Sequence, residues 1–441
     1  MNVVSLHGNR PGGRGNGPQK SGIIAALDVG STKVCCLIAK IEPPTANSIS
    51  SGTGPKIKIL GVGHHAARGI RAGAVANVEE AERSIRLAVD AAERMAQVSV
   101  GEVYVNVAGG QPSSICYSGA ATVQNEVITQ NDVNAAIGAA MVQSKAAGRV
   151  LLHASPVQYS VDDAKGVKDP IGMYGVRLGV EVNAVLVEQS AMHNLAMVIE
   201  RCHLNIAGFV IAPYAAGRSV LVDDEMELGT TLIDMGGATT SVAVFHDGNL
   251  IYGDVLPIGG HHVTKDLARG LSTTIAHAER MKTLYGSALP SIYDDRELIS
   301  VPILGERGVD ALNSVPRSML TGIIRPRLEE IFEMVQDRLE QSPVANKLGR
   351  QLVLCGGASQ LTGMREAAGQ IMSRNIRMAS PGGLSGLPES SKSPAFSVAT
   401  GLLAYALEPD QHMAQMIEFS QENIKSTRYI NRVGRWIKES F

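Results

Sequence analysis

The feature of the 441-residue sequence that most constrains its fold is an internal duplication. Residues 23–39 and 230–246 share one pattern: an apolar strand, Asp-x-Gly, small polar residues and a second strand. The aspartates of the two copies, Asp28 and Asp234, are 206 positions apart (234 minus 28). Duplication on this scale predicts two similar α/β lobes, each opening with a strand, a tight turn and a strand.

Composition narrows the class of protein. Apolar residues make up 44% and charged residues 19%, which is ordinary for a globular protein, and the length predicts two to four units at roughly 150 residues each. A net charge of −2 gives no global attraction to nucleic acid, so none is expected as a partner. Five scattered cysteines without a C-x-x-C pair predict reduced, buried thiols in the cytosol. No signal peptide and no apolar run of about 18 residues is visible, which predicts neither export nor a membrane span.

The two duplicated turns have the chemistry of phosphate sites. A tight glycine turn between antiparallel strands leaves several backbone N–H groups pointing the same way, and such a nest suits an anion. A carboxylate before each turn would repel bare phosphate, so we predict Mg²⁺ held through water by both aspartates. Lys33 follows the first turn and either faces the phosphates or is an exposed strand lysine. The predicted phosphate-binding residues are Asp28, Gly30, Ser31, Thr32, Lys33, Asp234, Gly236, Gly237, Ala238 and Thr239.

A third glycine loop, residues 355–359, lies between a predicted strand and a predicted helix. Gly356 and Gly357 let a base or sugar lie against bare backbone there. One Asp-x-Gly alone is usually an ordinary turn. Two copies in matching contexts, followed by a Gly-Gly loop about 120 residues later (356 minus 234), favour nucleotide binding. The alternative for this pattern is a duplicated α/β fold that has lost its ligand.

This constellation resembles the superfamily of actin, heat-shock chaperones and sugar kinases. Asp28, Gly30, Ser31 and Thr32 match its first phosphate motif, and Asp234, Gly236, Gly237 and Thr239 match the second. Gly356, Gly357 and Ala358 match its adenosine motif. The segment with Glu279 and Lys282 resembles a Glu-x-x-Lys helix that contacts adenosine, although a surface ion pair is the alternative. The resemblance implies a duplicated, actin-like two-lobe α/β fold with ATP in the cleft.

Ala238 departs from the superfamily pattern. Many relatives have a third glycine at this position of the second loop. We expect the added methyl group to be tolerated if the backbone φ is negative there.

The sequence changes character at its end. Residues 408–427 are polar and predict a linker, after which apolar residues follow i, i+3, i+7 and i+11 with arginines around them. A short basic amphipathic helix can lie in an anionic bilayer interface; docking on its own protein or on a partner is the alternative. The predicted membrane-contacting residues are Tyr429, Ile430, Arg432, Val433, Arg435, Trp436, Ile437, Lys438 and Phe441.

Together these features resemble the FtsA family of bacterial cell-division proteins, over about residues 23–441. Non-motif runs also resemble it: Thr129-Gln130-x-Asp132-Val133, Gly175-Val176-Arg177, Glu200-Arg201-Cys202, Gly401-Leu402-Leu403 and Trp436-Ile437-Lys438. The resemblance implies an ATP-binding scaffold that polymerises on the cytoplasmic face of the inner membrane at the division site. It would tether FtsZ filaments through their C-terminal tail and help recruit later division-site membrane proteins. The alternative is an actin-like ATPase of another membrane-associated cytoskeletal or assembly system.

The resemblance also implies a division of the chain into subdomains. Its parts are a disordered tail 1–21, the first-lobe core 22–103 and 183–220, a family-specific insert 104–182, the second-lobe core 221–256 and 326–407, a second insert 257–325, the linker 408–427 and the membrane helix 428–441. The second insert would capture the FtsZ tail, and Arg307 and Arg317 would suit an acidic peptide. The residue pattern predicts that this insert is helix-rich, that a long helix spans residues 324–341, and that Thr129 and Asp132 have capping-box spacing at the start of a helix.

Three rival classes fit less well. A chaperone needs a large substrate domain after its ATPase lobes, and too few residues remain. A sugar kinase needs a carboxylate base in the cleft, but Asp162, Asp163 and Asp169 lie in an insert unlike the kinase pattern. A rod-shape actin homologue would be shorter and would lack the terminal helix. Residues 212–219, where such ATPases position water, contain no Gln, His, Asp or Glu, so we expect slow or absent turnover.

Overall fold

The computed structural model describes residues 22–42, 56–144, 148–162, 164–305, 312–382 and 384–407. The predicted tail, the linker and the amphipathic helix lie outside the described residues, as does Arg307. Their predictions stay predictions.

The first lobe is built on a five-stranded sheet in the order β11-β6-β1-β2-β3. Its strands are β1 Ile23–Val29, β2 Lys33–Glu42, β3 Lys56–Ala66, β6 Glu102–Val107 and β11 Asn205–Ile211, with a small hairpin of β4 Ile70–Arg71 and β5 Ala74–Val75 beside them. Helix α1, Val78–Ala96, covers β2 and β3, and the Asn77 side chain caps it by accepting from Glu80 N–H at 3.1 Å. With the sheet covered on both faces, adjacent Cys35 and Cys36 are both fully buried.

The first insert follows β6 and contains β7 Ser113–Thr122, α2 Gln130–Met141, β8 Arg149–Val161, β9 Ala164–Val167 and β10 Arg177–Glu188. Its predicted bounds, 104 and 182, are wrong because they fall inside β6 and β10, and each of these strands stays in one sheet to its end. Thr129 and Asp132 form the predicted capping box at the start of α2, with Thr129 N–H donating to Asp132 at 2.9 Å. Cys116 on β7 is exposed, so the expectation that all five thiols are buried is wrong for this residue. Cys116 lies on the face of β7 that is open to solvent, together with Ser118, Ala120 and Thr122, and Cys202 is only partly buried.

The second lobe and the insert share one nine-stranded sheet, in the order β18-β17-β12-β13-β14-β7-β10-β8-β9. The second-lobe strands are β12 Thr230–Met235, β13 Thr240–His246, β14 Asn249–Leu256, β17 Gln351–Cys355 and β18 Asn375–Met378. The junction is short: Asp254 on β14 lies opposite Ser113 on β7. Lys168 adds ion pairs across it, to Glu227 at 2.8 Å and to Asp247 at 2.5 Å. The insert thus links the first lobe, from which it emerges, to the second.

The remaining helices are α3 Gln189–Arg201, α4 Ala212–Val220, α5 Asp223–Leu228, α6 Gly260–Gly270, α7 Ile275–Tyr285, α8 Arg317–Glu340, α9 Met364–Met372 and α10 Ser397–Leu407. The sequence predicted α8 only from about residue 324, whereas it begins seven residues earlier (324 minus 317). Gly322 and Pro326 weaken the local helical signal, but burial of Leu320 and Ile324 overrides that propensity. The proposed boundary at 325/326 therefore falls inside a helix. The hairpin of β15 Leu298–Pro302 and β16 Leu312–Pro316 was also missed in an insert predicted to be helix-rich.

Two helices cross at very close range between the lobes. Helix α4 contacts strands of both sheets, and α10 packs across it. A Cβ placed on Gly401 of α10 would lie 1.6 Å from the Ala215 carbonyl oxygen of α4. Only glycine permits this contact, so the position of α10 is tied to that of α4.

The duplication is confirmed in the backbone. Strands β1 and β2 pair antiparallel up to Val29 opposite Val34, and β12 and β13 pair up to Met235 opposite Thr240. Each first strand also pairs in parallel with a later one, β1 with β6 and β12 with β17.

Candidate functional site

The two Asp-x-Gly loops form the same turn and face one another. Gly30 N–H donates to the Lys33 carbonyl at 3.0 Å, and Gly236 N–H donates to the Thr239 carbonyl at 2.8 Å. A Cβ on Gly237 would lie 2.2 Å from Cγ2 of Thr32. The loops therefore meet across the cleft, and a side chain at Gly237 would push them apart.

The two loop aspartates lie buried between the lobes. Each is 8% exposed. Burial raises the pKa of Asp28 to about 6, against the lowering effect of the nearby Lys33 ammonium. Burial also raises the pKa of Asp234 to about 7; the negative charge of Asp28 adds to this rise and Lys33 opposes it. Two buried carboxylates, of which Asp28 disfavours the ionisation of Asp234, form a site that a cation would stabilise.

Side chains support the first loop. The Asn106 side-chain oxygen accepts from Val29 N–H at 2.7 Å in a buried position. The Ser31 hydroxyl accepts from Gly73 N–H at 2.8 Å, which ties the loop to the β4–β5 hairpin. Sequence reasoning missed both supports. The signal available for Asn106 was a lone amide in the otherwise apolar end of strand β6.

Lys33 is not an exposed strand lysine. Its Nζ donates to the Ala395 carbonyl at 2.7 Å and lies 3.4 Å from the centroid of the Phe396 ring. These contacts join the first loop to the turn that leads into α10. A contact between Lys33 and phosphate stays a prediction.

Backbone groups support the second loop. Gly260 N–H donates to the Gly236 carbonyl at 3.0 Å, and His261 N–H donates to the Gly237 carbonyl at 2.6 Å. The start of α6 is thus fixed against the loop. Ala238 has no positive φ, so its methyl group is tolerated in the way that the sequence predicted.

The third loop packs on the second. Gly356 has φ +88°, and a Cβ there would lie 2.3 Å from Oδ1 of Asp234 and 2.5 Å from the Met235 carbonyl. The Ser359 hydroxyl donates to the Gly356 carbonyl at 2.8 Å. Gly357 beside it is exposed. The loop therefore has an immobilised first glycine and an open second one.

Glu279 and Lys282 form an ion pair at 2.8 Å, so the alternative of an i,i+3 pair is part of the observed structure. The same Lys282 ammonium also donates to the Thr264 hydroxyl at 2.9 Å and to the Gly260 carbonyl at 3.1 Å. A Cβ on Gly260 would lie 2.8 Å from Cβ of Ala358. The pair therefore lies beside the third loop, and its contact with a base stays a prediction. Thr264, which holds it there, was missed.

The other candidate residues lie elsewhere. Arg317 makes an ion pair with Glu297 at 2.9 Å and donates to the Tyr285 carbonyl at 3.0 Å, so its charge is used within the second insert. Helix α4 presents mostly buried apolar residues. Within the described residues, no group of three or more metal-binding side chains occurs, and no helix has the length and apolarity to cross a membrane.

The paired hairpins and the meeting of three glycine loops in one cleft define an actin-like two-lobed protein. Solved structures share the fold. The PilM–PilN type IV pilus biogenesis complex matches at a TM-score of 0.60 and 16% sequence identity, and the match covers 88% of this chain and 99% of that one. MreB 5 of Spiroplasma citri bound to AMPPNP matches at a TM-score of 0.51 and 12% identity, over 92% and 99%.

Sequence comparisons identify the family. The model "Cell division protein FtsA" matches residues 231–401, and "SHS2 domain inserted in FTSA" matches residues 109–186. The chain is 45% identical over 425 residues to cell division protein FtsA of Agrobacterium fabrum, covering 96% of both. It is 31% identical over 428 residues to that of Escherichia coli K12, covering 95% and 98%. The chain belongs to the FtsA family of cell division proteins.

Proposed function

We propose that this chain binds ATP between its lobes. The observation that carries the proposal is the convergence of the three loops, with Thr32 against Gly237 and Gly356 against Asp234. Two nests of backbone N–H groups suit the phosphates, and the Gly357 backbone with the Glu279–Lys282 pair suits the adenosine end. One solved structure of this fold, MreB 5, is described as bound to AMPPNP, which supports the same ligand class here.

Mg²⁺ fits the donor set. Asp28 and Asp234 are buried carboxylates with raised pKa values, and a divalent ion would remove the cost of ionising both. Two carboxylates are few for an all-protein metal cage, but they suit Mg²⁺, which keeps waters and shares phosphate oxygens. The bound ion would supply charge neutralisation to the phosphates.

We propose that ATP binding switches the conformation of the cleft and that ATP hydrolysis is slow or absent. Helix α4 contains no acid, amide or imidazole to position water. The first loop is also connected to α10. The Lys33 ammonium donates a hydrogen bond to the Ala395 carbonyl, and helix α10, which follows, crosses α4 at Gly401. Cleft closure around ATP would thereby move α10, with the first-lobe strands on which it packs, relative to the second lobe and favour polymerisation. Phosphate release at several turnovers per second from the pure protein would contradict a switch.

The scaffold role rests on the family and on the chain's end. Relatives of this chain are described as cell division proteins. We propose that it forms filaments on the cytoplasmic face of the inner membrane at the division site, binds the FtsZ C-terminal tail through the second insert and recruits later division proteins. The helix 428–441 would hold the membrane. Each such helix binds weakly and reversibly, and filaments would add avidity.

Vesicle pelleting tests this function. Full-length protein in Mg-ATP should pellet with anionic vesicles more than protein in ADP, and deletion of residues 424–441 should abolish pelleting. The Asp234→Asn variant in Mg-ATP should pellet with vesicles to the same lower extent as the wild type in ADP. Replacing Arg432, Arg435 and Lys438 by glutamine keeps the apolar stripe and removes the charge, and should weaken pelleting with anionic vesicles without abolishing it. Pelleting that is independent of ATP and survives the deletion would refute the tether.

A further inference from the structure

A cavity of about 580 Å³ lies where the first lobe, the insert and the second lobe meet. Its walls come from the β4–β5 hairpin, from residues 110–113 at the root of the insert and from β14 and the residues after it. Thr239 of the second loop also lines it. This junction cavity therefore adjoins the loop that is proposed to hold phosphate, yet no residue of the third loop or of the Glu279–Lys282 pair lines it.

The junction cavity has a positive balance of charge. Arg71, Arg149 and Arg338 line it, against Asp254 and Glu188, which leaves one positive charge in excess (three minus two). The three arginines come from the hairpin, the insert and helix α8 respectively. Guanidinium groups converging from three units are suited to an oxyanion, which can accept from all of them.

Asp254 in the cavity wall does not neutralise all three arginines. Asp254 accepts from the Tyr252 hydroxyl at 3.1 Å and from the Val255 N–H at 2.7 Å. Nη1 of Arg338 lies 3.6 Å from Oδ2 of Asp254, an ion pair without a hydrogen bond, so Asp254 compensates Arg338 and leaves the charges of Arg71 and Arg149. Arg71 is exposed and makes no ion pair with a described residue. Positive charge is thus available to a ligand.

Hydrogen bonds hold the Arg149 guanidinium in place, but not all of its donors have an acceptor. Its Nη2 donates to the Gln111 carbonyl at 2.6 Å, the Leu186 carbonyl at 2.7 Å and the Ser113 hydroxyl at 3.0 Å. Its Nε is buried and has no hydrogen-bond partner among the described residues. All three acceptors are neutral groups, and no carboxylate of the described residues forms an ion pair with Arg149, so an anion entering the cavity would compensate its positive charge.

We propose that the junction cavity is an oxyanion site for inorganic phosphate, with Arg71 and Arg149 as its principal ligands. The wall that carries Arg71 is linked to the cleft, because Gly73 of the same hairpin donates to Ser31 of the first loop. Phosphate could arrive from solution or from cleaved nucleotide, and only the second source rests on the proposed ATP binding. In either case the bound anion would bias the position of the first loop.

Titration of full-length, nucleotide-free protein with sodium phosphate tests the site, at an ionic strength held constant with chloride. The wild type should bind phosphate, measured by calorimetry or ³¹P NMR. Arg71→Gln should weaken binding about tenfold, the equivalent of one charge-assisted hydrogen bond. Arg83→Gln is the matched control, an exposed arginine on α1 away from the cavity, and should bind as the wild type does. Wild-type affinity in Arg71→Gln, or no binding in the wild type, would overturn the proposal.

Two further arms separate the alternatives. Arg149→Lys keeps the charge and removes the planar guanidinium, so weaker phosphate binding with an unchanged circular dichroism spectrum would support the assignment, and unchanged affinity would oppose it. The second arm repeats the titration in saturating ADP, the state that nucleotide cleavage would leave. Retained phosphate binding places the anion outside the nucleotide cleft, whereas displacement by ADP would place it inside and overturn the proposal. Protein that binds phosphate but not ATP would refute the proposed nucleotide binding and leave this site standing.

Discussion

The two Asp-x-Gly loops have the same internal turn and different supports. Side chains hold the first loop: Asn106 accepts from Val29, and the Lys33 ammonium reaches Ala395. Backbone holds the second, through N–H groups at the start of α6 and through the α-carbon of Gly356 against Asp234.

The difference teaches where each loop tolerates change. A support made by a side chain can be removed at the cost of one interaction, because neighbouring groups or water can take its place. A support made by packed backbone leaves no room for an added atom. Substitutions that enlarge residues around the second loop should therefore cost more than those that truncate residues around the first.

The largest effect is expected at Gly356. In Gly356→Ala, the new Cβ would lie 2.3 Å from the Asp234 carboxylate at a φ of +88°, so both steric overlap and backbone strain oppose folding. We expect a loss of about 3 kcal/mol in the free energy of unfolding, measured by urea denaturation, together with loss of nucleotide binding.

Gly357→Ala is the matched control for that substitution. Its Cβ would lie 3.5 Å from Cβ of Ala395, an ordinary van der Waals contact, and we expect a change below about 1 kcal/mol. Equal destabilisation by the two alanines would show that the second loop is not held by this contact.

The next effect concerns pH and separates the two aspartates. A carboxyl group whose folded pKa is raised binds a proton more readily in the folded than in the unfolded state, so stability falls as pH rises from the unfolded pKa to the folded one. The pKa values of about 6 for Asp28 and about 7 for Asp234 place this loss between about pH 4 and 7. Between pH 5 and 8, the unfolding free energy of nucleotide-free, metal-free wild type should fall relative to Asp234→Asn by about 3 kcal/mol, and relative to Asp28→Asn by about 1 kcal/mol.

Urea denaturation in EDTA measures both differences. Mg-ATP should remove them for the wild type, because a bound cation stabilises the ionised carboxylates. Parallel pH curves for the wild type and the two variants would contradict a buried, coupled pair.

How much of this was readable in the sequence differs between the loops and their supports. The turns repeat because Asp-x-Gly with flanking apolar strands encodes them locally, and both strand–turn–strand units were predicted, whereas the β15–β16 hairpin was not. The supports could not be read, because they join residues far apart in the chain: Asn106 to Val29, and Lys33 to Ala395. Helix α8 was placed too late for a related reason, since tertiary burial of Leu320 overrides the weak local signal.

A smaller effect is expected at the side-chain support of the first loop. Lys33→Gln removes the contact of the ammonium with the Phe396 ring and weakens its hydrogen bond to Ala395. We expect a loss of about 1 to 2 kcal/mol in the free energy of unfolding. Lys40→Gln, at an exposed position of the same strand, is the control and should be close to neutral. If both variants unfold at the same urea concentration, the Lys33 contacts do not support the loop.

The smallest effect is expected at Ala238, where the second loop departs from the superfamily pattern. The residue has no positive φ, so its backbone conformation does not need glycine, and the N–H donors of the loop keep their directions with either side chain. Ala238→Gly should therefore lower the free energy of unfolding by at most about 1 kcal/mol, through the added freedom of the unfolded chain. Its affinity for ATP, measured with a fluorescent analogue, should stay within about threefold of wild type, since less than 1 kcal/mol separates the two. A tenfold gain in affinity would instead identify the methyl group as an obstacle to phosphate, and the second loop would then be the weaker of the two phosphate grips despite its more rigid support.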